Sequence, residues 1–214
     1  MGELAQEFFP PGVVNVVSGG NELGAWMTEH PGIRKIAFTG SGPTGKRIMA
    51  SAAGSLKRIT LELGGNDAGI VLDDVDAAKI AGDLFWAKFS NCGQVCAALK
   101  RMFVQRGVYQ NVCDELVKFA KTVKMGPGTE DGMDVGPIQN RAQYLLVNAM
   151  VQEALAGGAT ILYQSPGRCA AHGQPERIRA RWLGVGERHG ARHGCCAQAR
   201  IGGCLGQPAP GHGA

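Results

Sequence analysis

Three groups of residues in this sequence have the types and spacing to do chemistry. The first is Phe89-Ser90-Asn91-Cys92-Gly93-Gln94-Val95-Cys96. A cysteine in a loop just past a helix can serve as a thiolate nucleophile when nearby N–H dipoles lower its pKa. The competing reading is an inert structural thiol. Cys92 and Cys96 also have the spacing of half a metal site, but residues 1–163 supply no second half, and no metal is expected there. The second group is Thr60-Leu61-Glu62-Leu63-Gly64-Gly65. A carboxylate at the end of an apolar strand is unusual, and burial would raise its pKa and make it a general base near neutral pH. The alternative is a Glu62 that pairs with a nearby cation. The two glycines behind it allow a ligand or backbone to come close. The third is Gly40-Ser41-Gly42-Pro43-Thr44-Gly45-Lys46-Arg47, which follows a strand and opens a helix, the setting of a phosphate cradle. It fits G-x-x-x-x-G-K, the start of a P-loop, yet Arg47 stands where a Mg²⁺-binding Ser or Thr is needed, which speaks against a nucleotide hydrolase. It also fits G-x-G-x-x-G, a pattern shared with plain tight turns into helices.

These groups need elements to position them, and residues 1–163 alternate helix and strand. Residues 3–8 read as the end of a short helix closed by Pro10-Pro11-Gly12. Val13 to Val17 is a β-branched run, read as a buried strand, and Asn21 to Thr28 as a helix. A strand over 34–39 leads into a helix from about Pro43 to Ala53. Strands over 58–63 and 68–72 precede a helix from Ala77 to Lys88, capped by the Asp73-Asp74-Val75-Asp76 segment. Met102 to Gln105 reads as strand, Val108 to Thr122 and Gln139 to Ala156 as helices, and Ala159 to Tyr163 as a last strand. Such alternation predicts an α/β fold with a parallel sheet.

Composition excludes some functions and exposes a break. The 214 residues admit one or two domains, and 44% hydrophobic residues suit a globular chain. No apolar run is long enough for a membrane span, and the first residues lack the pattern of a signal peptide, so a cytoplasmic protein with no membrane partner is expected. Residues 167–214 differ sharply: they hold seven of the 22 Lys and Arg, all Arg, but only two of the 18 Asp and Glu, Glu176 and Glu187. The tail therefore accounts for the positive net charge of +4. It contains no Lys or Asp, four of the seven Cys and four of the five His. It reads as irregular, either a basic flexible segment or the product of a shifted reading frame, the second being favoured by the abruptness of the change. His189, His193, Cys195 and Cys196 have spacing that zinc could use, and Arg177, Arg179 and Arg181 beside Trp182 could meet nucleic acid. A chance Cys/His-rich frame gives the same picture, and neither zinc nor a nucleic-acid partner is expected.

Taken in order, F-T-G-S-x-x-x-G over Phe38–Gly45, L-E-L-G-G over Leu61–Gly65 and N-x-G-Q-x-C over Asn91–Cys96 resemble the NAD(P)-dependent aldehyde dehydrogenase superfamily. Pro10 to Asn15 and Val135-Gly136-Pro137-Ile138 resemble its flanking segments. The resemblance covers about residues 1–163. It implies Cys96 as nucleophile, forming a thiohemiacetal and then a thioester, and Glu62 as general base. It implies a Cys96 N–H in the oxyanion hole, Gly40, Ser41 and Gly45 at the cofactor's pyrophosphate, and Leu63 and Gly64 near the nicotinamide. The cofactor is NAD or NADP, the substrate a small-molecule aldehyde, and the family homo-oligomeric. Asn66 replaces the family's usual Lys. The resemblance further implies a partial doubly wound, Rossmann-like parallel sheet in residues 1–63, the C-terminal part of a dinucleotide-binding domain, running into the start of an α/β catalytic domain in 64–163; the irregular tail, 164–214, lies outside it. Family segments that supply an oxyanion-hole Asn, a ribose-binding Lys and the E-x-F-G-P Glu are not found, so weak or absent activity of the isolated chain is expected. The alternative is a non-catalytic nucleotide- or partner-binding remnant.

Overall fold

A computed structural model describes residues 2–168, 179–184 and 197–200. The chain forms two compact units, the second beginning at Gly64.

The first unit contains α1 (Gly2–Phe8), α2 (Asn21–Glu29), β1 (Lys35–Gly40), α3 (Gly42–Ala53) and β2 (Arg58–Leu63). β1 and β2 pair in parallel, Lys35 opposite Arg58 through Gly40 opposite Leu63, and α3 is the crossover between them. Crossover helices cover a parallel sheet's face, and α3 does so through Gly45, Ile48 and Ala52, its buried residues. Side chains alternate along β2: Ile59, Leu61 and Leu63 are half-buried, Arg58, Thr60 and Glu62 less covered. Lys57, just before β2, is buried and donates to the carbonyls of His30 and Ile33, tying the α2–β1 connection to the start of β2.

One strand expected here does not form. Val13 to Val17 is irregular, and Val13, Val14, Val16 and Val17 are exposed. β-branched residues suit a pleated, half-buried surface but do not create one. With no strand paired alongside, the run has no ladder to join.

The second unit begins with a β–α–β unit: β3 (Asp67–Val71), α4 (Ala77–Phe89) and β4 (Leu99–Val104). α5 (Tyr109–Ala120), α6 (Arg141–Ala156) and β5 (Thr160–Arg168) follow. Asp76 caps α4 by accepting from the Ala78 N–H, and Asn140 caps α6 by accepting from Gln143. Val71, Met102, Val104, Ala77 and Val112 form one core, where α4 and α5 cover the strands. Phe85, Phe89 and Ala120 form a second, in which Phe85 packs with Phe89 and Phe119 at centroid distances of 4.9 and 5.3 Å.

Three strands include residues beyond Tyr163. β5 continues to Arg168, β6 (Arg179–Gly184) pairs antiparallel with β5, and β7 (Ala197–Arg200) pairs antiparallel with β4. β-ladders are made by backbone groups, and the open edges of β4 and β5 offer unpaired N–H and C=O groups to any chain without a proline in register. Arg179 and Arg181 fall on β6. Arg177, His189, His193, Cys195 and Cys196 lie outside the described residues. Among the described residues no group of three or more potential metal ligands occurs, and no helix is long and apolar enough to cross a membrane.

Candidate functional site

The phosphate turn is built by the β1–α3 junction. Ser41 is the helix N-cap, its Oγ 3.4 Å from the Thr44 N–H and 3.0 Å from Thr44 Oγ1. Pro43 occupies the first turn, where its fixed φ suits the helix but its missing N–H removes one donor from the end that would face an anion. The first turn carries no acidic residue, and a Cβ added at Gly42 would meet open space. The turn therefore combines a helix N-terminus, a hydroxyl and open space at Gly42, features that suit an anion. Gly45 also serves packing. A Cβ there would lie 2.8 Å from Leu63 Cδ2, so glycine lets α3 press onto β2.

The register of the parallel pair brings predicted residues together. Gly40 is opposite Leu63 and Thr39 opposite Glu62, so Gly40, Ser41, Gly45, Glu62 and Leu63 gather at the C-terminal end of β1 and β2. Ligands in α/β folds bind beyond that end of the strands. Glu62 is exposed. The strand read as an apolar run is an alternating one, and Glu62 shares the outer face with Arg58 and Thr60.

In the second unit the thiol loop leaves the end of α4 through a single 3-10 turn, Ser90–Gly93. Asn91, Cys92 and Gly93 have φ of 49°, 59° and 74°. Three successive left-handed residues, one of them a cysteine, store backbone strain that the surroundings must hold. Several contacts do so. Gln94 returns its N–H and its Nε2 to the Asn91 carbonyl at 3.0 and 3.1 Å. The Gln94 Oε1 accepts from the Gln139 N–H at 2.9 Å, and Cys92 Sγ donates to the Gly136 carbonyl at 2.7 Å. The N-x-G-Q pattern is thus a clamp that docks on the Gly136–Gln139 segment, and the V-G-P-I pattern is its dock. Gly65 also borders this loop: a Cβ there would lie 2.6 Å from the Cys96 carbonyl oxygen, so no side chain fits. Gly64 lies next to it in the chain. Arg101 Nε donates to the Asn66 carbonyl at 3.0 Å, so residue 66 contributes its backbone here.

The three described cysteines are free thiols and differ in setting. Cys96 is exposed at the start of the Val95–Ala98 turn. Cys92 is half-buried and engaged with Gly136. Cys113 is buried in α5, and burial pushes its thiol above the ordinary range, with Asp114 adding to it against a hydrogen bond with Tyr109. Only Cys96 combines access with a shaped loop. Glu62 stands in the first unit and Cys96 in the second.

Two buried residues that sequence reasoning passed over bond main-chain carbonyls, Lys100 those of the thiol loop and Lys88 those of β4. Lys88 and Lys100 are buried, at 3% and 9% exposure. Their signal was periodicity. Lys88 follows Ala77, Ala81 and Phe85 on the inner stripe of α4, and Lys100 alternates with Met102 and Val104 on the inner face of β4. Lys88 Nζ donates to the Leu99 and Lys100 carbonyls at 2.9 and 3.1 Å. Burial pulls its pKa from 10.5 down to about 7, with the nearby Lys100 charge adding to the shift.

Known proteins share this arrangement. A model of the aldehyde dehydrogenase family matches residues 1–176. A probable aldehyde dehydrogenase from Pseudomonas is 40% identical over 162 residues, 76% of this chain and 33% of that protein. Betaine aldehyde dehydrogenase 1 of rice (Oryza sativa subsp. japonica) is 41% identical over 163 residues, 76% of this chain and 32% of that protein. The crystal structure of aldehyde dehydrogenase C from Pseudomonas syringae, solved with NAD⁺ and octanal, matches with a TM-score of 0.75 and 34% identity, covering 86% of this chain and 38% of that one. An NAD⁺ complex of an aldehyde dehydrogenase from Bacillus cereus matches with a TM-score of 0.72 and 39% identity, covering 78% and 34%. The chain spans about a third of the length of the curated relatives it matches. With its phosphate turn, its L-E-L-G-G strand end and its clamped thiol loop in the family's order, this chain belongs to the aldehyde dehydrogenase family.

Proposed function

We propose that the chain carries the reacting groups of an NAD(P)-dependent oxidation of an aldehyde to a carboxylic acid. The observation that carries this reading is the Cys96 loop, an exposed thiol on a segment whose strained turn is clamped from two sides. Cys96 sulfur adds to the aldehyde carbon, a C–S bond forms, and the carbonyl oxygen becomes an oxyanion that the Cys96 N–H receives. A nicotinamide dinucleotide, when bound, would take the hydride from the Cys96 adduct; Gly40, Ser41 and Gly45 would hold its pyrophosphate, and Leu63 and Gly64 would border its nicotinamide. The acyl group is then held on Cys96 as a thioester. Glu62 takes a proton from water, the hydroxide adds to the acyl carbon, and the C–S bond breaks to return the thiolate and release the acid. An exposed carboxylate suits this step because water reaches it.

Mass spectrometry of Cys96 after incubation with NAD⁺ and an aliphatic aldehyde tests this. The expected product is an NAD⁺-dependent acyl adduct on Cys96 that is missing in Cys96→Ser. Equal NADH production by the chain and by Cys96→Ser would refute it. NAD⁺ binding with no adduct would favour a nucleotide-binding remnant.

A further inference from the structure

The segment that follows the nucleophile is wrapped around a buried ammonium group. Lys100 Nζ donates to the Val95 carbonyl at 2.6 Å and to the Cys96 and Ala98 carbonyls, each at 3.2 Å. Among the described residues no carboxylate pairs with it. A buried charge without a counter-ion is costly unless its protons are all taken up by acceptors, so these peptide planes are held in one orientation. The turn does not need the lysine for closure, because the Ala98 N–H already donates to the Val95 carbonyl at 3.2 Å. An apolar residue at this core-facing strand position would avoid the desolvation cost altogether.

The orientation has a chemical consequence. No described peptide bond is cis. In a trans peptide the C=O and the N–H point to opposite sides. With the Val95 carbonyl turned to Lys100, the N–H of Cys96 in the same peptide unit is turned away from it. Among the described residues that N–H donates to no protein acceptor. An ammonium bonded to the carbonyl also polarises the peptide and strengthens its N–H as a donor. We propose that Lys100 is a positioning residue, one that fixes and polarises the Val95–Cys96 peptide so that the Cys96 N–H stands ready for the oxyanion. This rests on the reading of Cys96 as the nucleophile.

Two reagents separate the roles. With iodoacetamide the Cys96 sulfur displaces iodide, the C–S bond forming as the C–I bond breaks, and no oxyanion arises. With p-nitrophenyl acetate the sulfur adds to the carbonyl carbon, an oxyanion forms, and its collapse expels p-nitrophenolate to leave S-acetylcysteine. Rates are read on the Cys96 peptide of the full chain by mass spectrometry. In Lys100→Met the acetylation rate relative to alkylation should fall by roughly 10- to 100-fold, somewhat less than the loss of a whole oxyanion donor. If Lys100→Met is unfolded by circular dichroism, Lys100→Gln, which lacks the charge, serves for the same comparison. Lys88→Met should leave the ratio within about threefold, because Lys88 bonds the Leu99 and Lys100 carbonyls and not that of Val95. An unchanged ratio in the Lys100 variant overturns the proposal, as does an equal fall in Lys88→Met, which would mean general loosening of the loop. Acetylation at equal rate in Cys96→Ser would instead sink the nucleophile reading, and this proposal with it.

Discussion

The buried Lys88 makes stability depend on pH in a direction opposite to that of a surface lysine with an acidic partner. Its folded pKa is about 7 against an ordinary 10.5. Below about pH 7 both the folded and the unfolded chain hold the proton, and the folded state bears the full cost of a buried charge. Above about pH 10.5 neither state holds it, and the cost is gone. Between these limits unfolding takes up a proton, so stability rises with pH. One proton corresponds to at most about 1.4 kcal/mol per pH unit. Between about pH 7.5 and about pH 9.5 that is under 3 kcal/mol. The Leu99 and Lys100 carbonyls accept from Nζ and favour its charged form, so the expected gain is smaller, about 1–2 kcal/mol. Urea unfolding followed by Trp86 fluorescence reads it, in a chain with Trp26→Phe and Trp182→Phe so that one indole reports on α4. Trp86 suits the purpose because it lies on α4 and packs edge-on against the buried Phe85. Other groups titrate in this range, so the decisive quantity is the difference from Lys88→Met, in which the rise should vanish. Parallel pH profiles for the two chains would refute the assignment of a depressed Lys88.

Other expectations follow from the packing. Gly65→Ala should cost about 1–3 kcal/mol and slow Cys96 labelling, because the new Cβ would meet the Cys96 carbonyl oxygen at 2.6 Å and backbone must move. Gly45→Ala should stay within about 1 kcal/mol by urea denaturation, since its 2.8 Å contact is with the mobile end of Leu63 and alanine favours the helix; a larger loss for Gly45→Ala than for Gly65→Ala would contradict this. Ser41→Ala should destabilise α3 by about 0.5–1 kcal/mol, at the low end for a cap because the Thr44 N–H bond is long at 3.4 Å, and no change in α3 amide exchange would count against a capping role. At neutral pH iodoacetamide should label Cys96 at least roughly tenfold faster than Cys113, whose burial both blocks access and raises the thiol pKa; equal rates would show that the core around α5 opens readily.

Elements whose local signals agreed with their surroundings were legible in the sequence. The helix over Ala77–Phe89 has an Asp cap and an inner stripe, and both signals point the same way. Val13 to Val17 has a stronger β signal than several real strands, yet it forms none. Propensity reports what a side chain tolerates, whereas a strand also needs a neighbour's backbone, and that information is not local. Sequence reasoning puts Glu62 on its strand but leaves its burial open, because the flanking leucines read as a run when in fact they alternate.

The site was legible as a motif but not as a machine. Asn91, Gly93, Gln94 and Gly65 stand out as a pattern, and the structure shows what each does physically. Asn91 and Gly93 make a left-handed turn, Gln94 bridges to Gln139, and Gly65 leaves a gap for the Cys96 carbonyl. Lys88 and Lys100 do not stand out, since a lone lysine between apolar residues reads as a solvated side chain until its phase is counted. Counting it places both on buried faces, where a lysine must find several acceptors at once. In this loop the acceptors are the main-chain carbonyls beside the thiol. A charged residue whose phase points inward, within a few residues of a candidate nucleophile, is therefore a sequence signal for a shaped backbone. It marks where peptide dipoles are aimed, which side-chain motifs alone do not.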